Sequence, residues 1–409
     1  MVIFNKMKIT AVIAEFNPFH KGHKYILCKA REETDADYII VLMSGNFVQR
    51  GEPAVFDMGV RTDAALRNGA DAVFELPPRI ALSSAEGFAS GAVAILNKLC
   101  IDDLVFGSEG GNMAALDPAA SVLTEESPEY RAFLKDRLKA GDSFPAAREA
   151  AVKACLPHGS GDDPELLNAV LREPNNILAL EYLKALNRSA SSIKPFAVPR
   201  IGDPYHTEGF SDASYSAEAI RERIFSAVGS DPDKLSSAVH RDSLTPFLLY
   251  KLLSPALFNS LRRASVPGDL SNRIIRERDF SGSFSEFCSL IKTKNITYTS
   301  VSRHLLHLTL DMDYSAKSPD QMRGDIDYLR LLGFRKASAP LFSELKLRMR
   351  GITILGNSSD ISNYLEKAED SSFLENHLRI DRSYNILRSY KKRRDKPLPP
   401  EIKRQIIIV

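Results

Sequence analysis

Short apolar segments alternate with helix-like segments through the first 110 residues, and this alternation constrains the fold more than any other feature. Strands are predicted at residues 8–14, 38–43, 72–76 and 104–106, separated by helices at residues 24–33, 61–67 and 84–99. Strands joined by helices form a parallel sheet with right-handed crossovers. Ligands bind such sheets beyond the carboxyl ends of the strands. A site is therefore expected in the loops after residues 14, 43, 76 and 106.

The remainder of the chain is predicted to be mainly helical, with a strand at residues 196–198 and a strand-to-helix unit at residues 352–367. Turn-forming residues at 229–232 indicate a domain boundary. We predict an α/β fold of three parts: a Rossmann-like parallel-sheet domain, a helical domain and a basic C-terminal segment. Their expected limits are residues 7–230, 231–340 and 341–409.

The net charge is unevenly distributed along the 409 residues. The whole chain carries 54 Lys and Arg against 52 Asp and Glu, a net charge of +2, which excludes a uniformly basic nucleic-acid coat. Residues 378–409 contain ten basic and three acidic residues, a net charge of +7, so the preceding residues sum to −5. The basic run Lys391, Lys392, Arg393 and Arg394, near Tyr384 and Tyr390, is suited to an RNA backbone and an unstacked base. The alternative is a solvated helix face followed by a disordered end.

The four cysteines lie far apart and form no CxxC pair, which argues against a zinc ribbon or a disulfide framework. There is no signal-peptide pattern, and no apolar stretch approaches the roughly 18 residues of a membrane span. We expect a cytoplasmic protein without a membrane partner.

The segment His20-Lys21-Gly22-His23 follows the first predicted strand and opens the first helix. A helix N-terminus offers free N–H groups and a positive dipole to phosphate. The two imidazoles lie on one helix face and can donate hydrogen bonds to phosphate oxygens in a transition state. The pattern resembles the His-x-Gly-His motif of the nucleotidyltransferase superfamily. The alternative is a pair of surface histidines in a loop.

A second motif spans residues 214–221 and resembles the Ser-Ser-Thr-x-Ile-Arg element of small-molecule adenylyltransferases, with Glu218 where Thr or Ser is usual. Ser216 can cap a helix, and Arg221 would lie one turn later and reach a phosphate. An ordinary capped amphipathic helix explains the same residues, and the motif alone favours that reading.

Longer motifs resemble those of the bacterial tRNA(Met) cytidine acetate ligase family. They lie at residues 15–23 (EFNPFHKGH), 43–54 (MSGNFVQRGEPA), 75–77 (ELP), 106–109 (FGSE) and 174–178 (PNNIL). Weaker similarity continues through residues 297–303 and 328–334. The resemblance implies that acetate and ATP form acetyl-adenylate, and that the acetyl group is transferred to N4 of the wobble cytidine of elongator tRNA(Met). Magnesium is expected with the triphosphate.

The resemblance also implies an ATP site, with His20 and His23 as catalytic residues. The implied ATP contacts are Ile13, Ala14, Glu15, Phe16, Asn17, Pro18, Phe19, His20, Lys21, Gly22, His23, Lys24, Tyr25, Ile26, Gly107, Asn175, Arg200 and Ile201.

Each of the isolated contacts has a structural alternative. Gly107 can admit a base or form a plain turn, Asn175 or Asn176 can cap a helix, and Arg200 can be a solvated surface residue. Glu15 can bind a ribose or accept loop amides.

Two further interpretations concern positions outside the ATP loop. Arg50, Ser216 and Arg221 are possible ligands of phosphate or acetate. The helix containing Arg303, His304 and His307 is better explained as a core-facing helix than as an RNA contact.

Two other functions remain open at the level of the sequence. A small-molecule adenylyltransferase would share the His-x-Gly-His loop but leave about 180 further residues unexplained. A non-catalytic RNA-binding protein could hold a nucleotide without turnover.

Overall fold

The structure, a computed structural model, describes residues 7–156, 168, 170–200, 217–228, 238–314, 326–392 and 400–409. Its strands are β1 (Ile9–Ala14), β2 (Tyr38–Ser44), β3 (Phe47–Val48), β4 (Glu52–Pro53), β5 (Ala72–Leu76), β6 (Asp103–Ser108), β7 (Lys194–Pro199), β8 (Tyr328–Phe334), β9 (Thr353–Leu355) and β10 (Ile407–Ile408).

The helices of the first half are α1 (Lys21–Thr34), α2 (Met58–Arg67), α3 (Pro78–Ala81), α4 (Ala85–Lys98), α5 (Met113–Glu125), α6 (Pro128–Lys139), α7 (Phe144–Cys155) and α8 (Pro174–Arg188). Those that follow are α9 (Ala217–Val228), α10 (Thr245–Leu252), α11 (Leu257–Arg263), α12 (Gly268–Arg276), α13 (Phe284–Ile291), α14 (Tyr298–Thr309), α15 (Pro340–Arg348), α16 (Ser358–Lys367) and α17 (Ser372–Lys392). Short 3₁₀ turns lie at Arg241–Leu244, Lys336–Ser338 and Glu401–Lys403. No described helix combines the length and the apolar character needed to cross a bilayer.

The main sheet has the order β10-β8-β5-β2-β1-β6-β7, with β9 also paired to β8. β1 is an interior strand, parallel to β2 on one side and to β6 on the other. Successive side chains of β1 enter two different cores, since Ile9 and Ala11 pack in one cluster and Val12 in another. Both faces of the sheet are therefore covered, which explains why the strand is a continuous apolar run.

The four strands and three helices expected in the first 110 residues are all present, so the parallel α/β domain is confirmed. α1 begins at Lys21 rather than at residue 24, because His20 caps the helix. The turn predicted at residues 229–232 lies outside the described residues.

The last third of the chain returns to this sheet, which the sequence did not indicate. β8 pairs antiparallel with β5, and β9 and β10 pair with β8. The prediction that residues 231–340 form a helical domain is therefore wrong for residues 328–334, which form β8. The predicted strand at residues 352–356 is present as β9.

The helices between α10 and α14 form a second core, to which Phe47, Leu82 and Tyr384 also contribute. These three residues come from β3, from the segment after α3 and from α17. The helical region is thus packed directly on the carboxyl-end loops of the sheet.

Candidate active site

The loop from β1 to α1 is held closely at both ends. Phe16 is fully buried and contacts the ring of His23 edge-on, with ring centroids 4.8 Å apart. Asn17 Oδ1 accepts a hydrogen bond from the Val55 backbone N–H at 2.8 Å, and its carbonyl accepts one from Arg221 Nη1 at 2.9 Å. The loop therefore enters the helix in a defined conformation, set by residues far away in the chain.

The two histidines of the His-x-Gly-His motif form a capping box at the N-terminus of α1. His20 Nδ1 accepts from the Gly22 N–H at 3.1 Å, and His23 Nδ1 accepts from the His20 N–H at 3.2 Å. Their rings are stacked, with centroids 3.7 Å apart. Because each Nδ1 is an acceptor, the neutral form of each ring carries its proton on Nε2. Each imidazole thus retains one N–H donor for a ligand.

Both histidines are held in the neutral form. Burial, followed by the charge of Arg200, lowers the pKa of His20 to about 4. The pKa of His23 is also lowered, mainly by burial and then by His20 and Arg200. Neutral donors beside an exposed guanidinium form a site for an anion that needs no change of protonation at neutral pH.

Gly22 and Gly107 have different local surroundings. A Cβ at Gly22 would lie 2.9 Å from Cε1 of His20, so the stacked pair needs glycine. A Cβ at Gly107 would lie 3.5 Å from Cγ of Arg200 and 3.6 Å from Cδ1 of Ile26, which are ordinary contacts. The protein's own packing leaves room for a side chain at residue 107, and this is consistent with close approach by a ligand.

Asn175 and Asn176 do not cap α8, whose N-cap is Glu173, so the capping alternative is wrong. They contact Glu109 in the FGSE motif instead. Asn175 Nδ2 and the Asn176 backbone N–H donate to the two carboxylate oxygens of Glu109, the second at 3.0 Å. The Glu109 N–H donates to Asn176 Oδ1 at 2.9 Å. Two motifs more than 60 residues apart in sequence therefore form one unit at the end of β6.

Glu15 accepts a loop amide, one of the two alternatives expected for it. Its Oε1 accepts from the Gln49 backbone N–H at 2.7 Å. Burial raises the pKa of this carboxyl group. Gln49 belongs to the β3–β4 hairpin, which rests on α14, because Ser302 Oγ donates to the Gly51 carbonyl at 2.8 Å. The hairpin thus connects the end of β1 with the helical region.

Arg61 was not expected at the site, yet its guanidinium organises the strand ends. The side chain is 1% exposed and donates to the carbonyls of Glu15 at 2.6 Å, of Ser44 at 2.9 Å and of Gly45. It also donates from Nε to the carbonyl of Phe56 at 3.0 Å. The sequence signal is weak, since an arginine in an amphipathic helix is ordinarily solvated.

Arg221 supports the loop between β1 and α1. It is 9% exposed, bound to the Asn17 carbonyl and 3.7 Å from Oε1 of Glu52. Arg50 Nη1 lies 3.2 Å from Oε2 of Glu218. Their proposed contacts with phosphate or acetate stay predictions.

The remaining implied ATP contacts line the same strand-to-helix connection. Ile13 and Ala14 end β1, Pro18 and Phe19 precede His20, Lys21 and Lys24 are exposed on α1, and Tyr25 and Ile26 are half-buried there. Ile201 and Ser216 lie outside the described residues.

A buried polar cluster lies below the ends of β2 and β5. Arg330 Nη1 is 2.9 Å from Oε2 of Glu75 and 2.6 Å from Oδ2 of Asp381, and His377 Nε2 is 2.9 Å from Oε1 of Glu75. Asn46 Nδ2 donates to Asp381 Oδ1 at 3.1 Å. Burial opposes ionisation of Glu75, but Arg330 and His377 outweigh it and lower its pKa, whereas burial and the charge of Glu75 raise the pKa of Asp381.

This cluster contains the group of three metal-ligating side chains found among the described residues, Glu75, His377 and Asp381. The guanidinium of Arg330 already lies between their oxygens. The donor set therefore fits an internal ion-pair network better than a magnesium site.

The C-terminal segment is partly internal. Tyr384, expected to stack on an RNA base, is 0% exposed and donates its hydroxyl to the Ala54 carbonyl at 2.8 Å, so that interpretation is wrong. Lys391 and Lys392 end α17, and Arg393 and Arg394 lie outside the described residues. His307 is buried, with Nε2 2.8 Å from the Leu82 carbonyl, as expected for a core-facing helix.

The parallel sheet, the histidine pair at the first helix N-terminus and the adjacent Arg200 define a nucleotidyltransferase of the HIGH type. The family model described as HIGH Nucleotidyl Transferase matches residues 7–397. Several relatives carry the name tRNA(Met) cytidine acetate ligase. The one from Acetivibrio thermocellus is 38% identical, covering 83% of this chain and 86% of its own. The one from Caldicellulosiruptor saccharolyticus is 35% identical, covering 93% and 94%.

A solved structure of Thermotoga maritima TmcAL bound with alpha-thio ATP is 27% identical, with a TM-score of 0.82, and the match covers 98% of this chain and 100% of that one. The chain therefore belongs to the tRNA(Met) cytidine acetate ligase family, a family of ATP-dependent ligases.

Proposed function

We propose that this protein activates acetate with ATP and transfers the acetyl group to N4 of the wobble cytidine of elongator tRNA(Met). The observation that carries the proposal is the pair of stacked, neutral imidazoles at the N-terminus of α1, with Arg200 beside them. The names of the relatives supply the substrates, and the bound nucleotide of the Thermotoga maritima structure supports ATP.

In the first step an acetate oxygen attacks the α-phosphorus of ATP, the bond to the bridging oxygen of the β-phosphate breaks, and pyrophosphate leaves. Charge develops on the phosphate oxygens during this displacement. In this scheme the Nε2–H groups of His20 and His23 and the guanidinium of Arg200 stabilise that charge. Positioning and electrostatics supply most of the catalysis, and no covalent intermediate with the protein is needed.

In the second step the N4 amine of cytidine attacks the acetyl carbonyl carbon, the bond to AMP breaks, and the amine loses a proton. Magnesium accompanies the triphosphate in this scheme. The basic run Lys391, Lys392, Arg393 and Arg394 is proposed to contact the RNA backbone, and the enzyme is proposed to act in the cytoplasm.

The test is an incubation of the purified protein with ATP, labelled acetate and total tRNA, followed by nucleoside analysis. Label in N4-acetylcytidine of methionine tRNA is the expected result. Acetate-independent adenylyl transfer to a small molecule would replace the proposal with a cofactor-forming enzyme, and nucleotide binding without any turnover would replace it with a binding protein.

A further inference from the structure

A cavity of about 610 Å³ lies between the β4 strand, α9 and the start of α14. Its wall is continuous with the catalytic loop, because Arg221 in the wall donates to the carbonyl of Asn17. Glu52, on the opposite side of that guanidinium, belongs to the hairpin that binds Glu15 through Gln49. Two contacts thus link the cavity wall to the loop that carries the histidine pair.

The charges of the cavity argue against an anionic ligand. Its wall contains three carboxylates, Glu52, Glu218 and Glu222, and two guanidinium groups, Arg221 and Arg241. Both arginines face Glu52, since Arg241 Nη2 is 2.5 Å from Oε2 and Arg221 Nε is 3.7 Å from Oε1. With its cations compensated, the cavity is suited to a neutral polar molecule rather than to a phosphate.

One buried oxygen in the wall has unused hydrogen-bonding capacity. Glu52 is 5% exposed, and its Oε1 accepts no hydrogen bond from any described residue. A buried carboxylate oxygen of this kind needs an N–H donor. Arg221 and Arg241 on either side provide donors for ring acceptors. The acceptor of Glu52 and the donors of Arg221 and Arg241 complement cytosine, whose N4 amine donates hydrogen bonds while its N3 and O2 accept them.

Aromatic side chains provide a surface on which a base can stack. Tyr298 and Phe225 are both half-buried in the wall. Arg241 lies 5.6 Å from the Tyr298 ring centroid, which leaves the opposite ring face for a base, and Phe225 packs edge-on against His240 with ring centroids 4.6 Å apart. Proteins that read single nucleotides extruded from an RNA loop combine such rings with hydrogen bonds to the base edge.

We propose that this cavity binds the cytosine base that is to be acetylated, with Glu52 accepting from its amine and Tyr298 stacking on the ring. The inference rests on the proposed function, and it adds the location of the RNA base. It also gives the TYTSVSR segment at residues 297–303 a role in substrate recognition.

The first measurement is photo-crosslinking of the full-length protein to an anticodon stem-loop with 5-iodocytidine at the wobble position. A crosslink to Tyr298 or Phe225, mapped by mass spectrometry, is expected. A crosslink elsewhere, with wild-type protein that acetylates the unmodified stem-loop, overturns the cavity proposal alone. Wild-type protein that acetylates no RNA overturns the proposed function and this inference with it.

The second measurement compares the same substitution at two tyrosines. Tyr298→Leu should raise the KM for the stem-loop about five- to hundred-fold, the range for loss of one base–aromatic stack. Tyr250→Leu is the control, since Tyr250 is 75% exposed on α10 outside the cavity. Tyr298→Phe should restore most of the affinity because it keeps the ring. Equal KM values for Tyr298→Leu and Tyr250→Leu, with unchanged urea midpoints, contradict the proposal.

Discussion

At the scale of single residues, His20 combines two roles that are usually separate. Its Nδ1 caps α1 by accepting from the Gly22 N–H, and this fixes the tautomer that leaves Nε2–H for a ligand. The structural role of the side chain therefore determines its chemistry. A substitution that keeps the helix cap and removes the Nε2 donor separates the structural role from the catalytic one.

His20→Asn is expected to do so, since asparagine is among the best N-cap residues. The unfolding free energy should stay within about 1 kcal/mol of wild type, while acetate-dependent ATP–pyrophosphate exchange falls about a hundredfold, as for loss of one preorganised donor. Cys28→Ser, at an exposed position of the same helix, is the control. Exchange at the wild-type rate in His20→Asn would refute the catalytic assignment.

The pH dependence of adenylation follows from the lowered pKa of His20. With a pKa of about 4, the free enzyme keeps this imidazole neutral down to well below pH 6. The kcat/KM of exchange, which reports the free enzyme, should therefore be flat between pH 5.5 and 8. A fall with an apparent pKa near 6.5, the ordinary value for histidine, that is absent in His20→Asn would show that His20 is not held neutral.

Gly107→Ala tests whether a ligand occupies the space beside Arg200. The apo protein accepts a Cβ there at ordinary contact distances, so the unfolding free energy should change by less than about 0.5 kcal/mol. The KM for ATP should rise about tenfold or more if a base or ribose packs on this backbone. Gly268→Ala, in open space on α12, is the matched control, and equal KM values in the two variants would exclude the contact.

At the scale of secondary-structure elements, the β3–β4 hairpin couples the sheet to the helical region. Its turn binds Glu15 through the Gln49 N–H and lies against the backbone of α14 at Gly51. A Cβ on Gly51 would lie 2.4 Å from the Arg303 nitrogen and 2.5 Å from the Ser302 carbonyl carbon. The hairpin can approach the helix this closely only with glycine at residue 51.

Gly51→Ala should therefore lower the free energy of unfolding by more than the strain of a positive φ alone would cause. Gly51 has φ of +78°, and Gly141, with φ of +95° and nothing within 4 Å, is the matched control for that strain. We expect Gly141→Ala to cost about 1 kcal/mol and Gly51→Ala about 1–3 kcal/mol more in urea unfolding. Equal losses would mean that the contact with α14 contributes nothing.

At the scale of the whole molecule, the buried cluster around Arg330 joins the first domain to the C-terminal part of the chain. Glu75 and Asn46 come from the first domain, while Arg330, His377 and Asp381 come from β8 and α17. Arg330 forms ion pairs with three buried carboxylates, Glu75, Asp381 and Glu401. The C-terminal segment is therefore part of the structural support of the strand ends.

Arg330→Met should cost about 3–5 kcal/mol, because it leaves buried charges unpaired. Without the guanidinium, burial raises the pKa of Glu75 and Asp381 above their unfolded values, so the folded state binds more protons. The unfolding free energy of the variant should then increase as the pH falls from 8 to 5. Arg67→Met, at an exposed pair with Asp63, is the control, and a pH-independent loss in Arg330→Met would contradict the explanation.

The sequence by itself determined the features that depend on local patterns. Continuous apolar runs identified the strands of the parallel sheet, since both faces of that sheet are buried. The position of His20 and His23 directly after β1 identified the candidate site, because a strand-to-helix turn in such a sheet places its residues at the binding edge.

Only the tertiary structure decided which distant residues meet. Asn46 and Asp381 are 335 positions apart in sequence, and no local pattern pairs them. The same holds for Glu109 with Asn175 and for Arg61 with the strand-end carbonyls. A buried polar group must find its partner wherever the fold brings one, so its role depends on the packed chain and not on its neighbours in sequence.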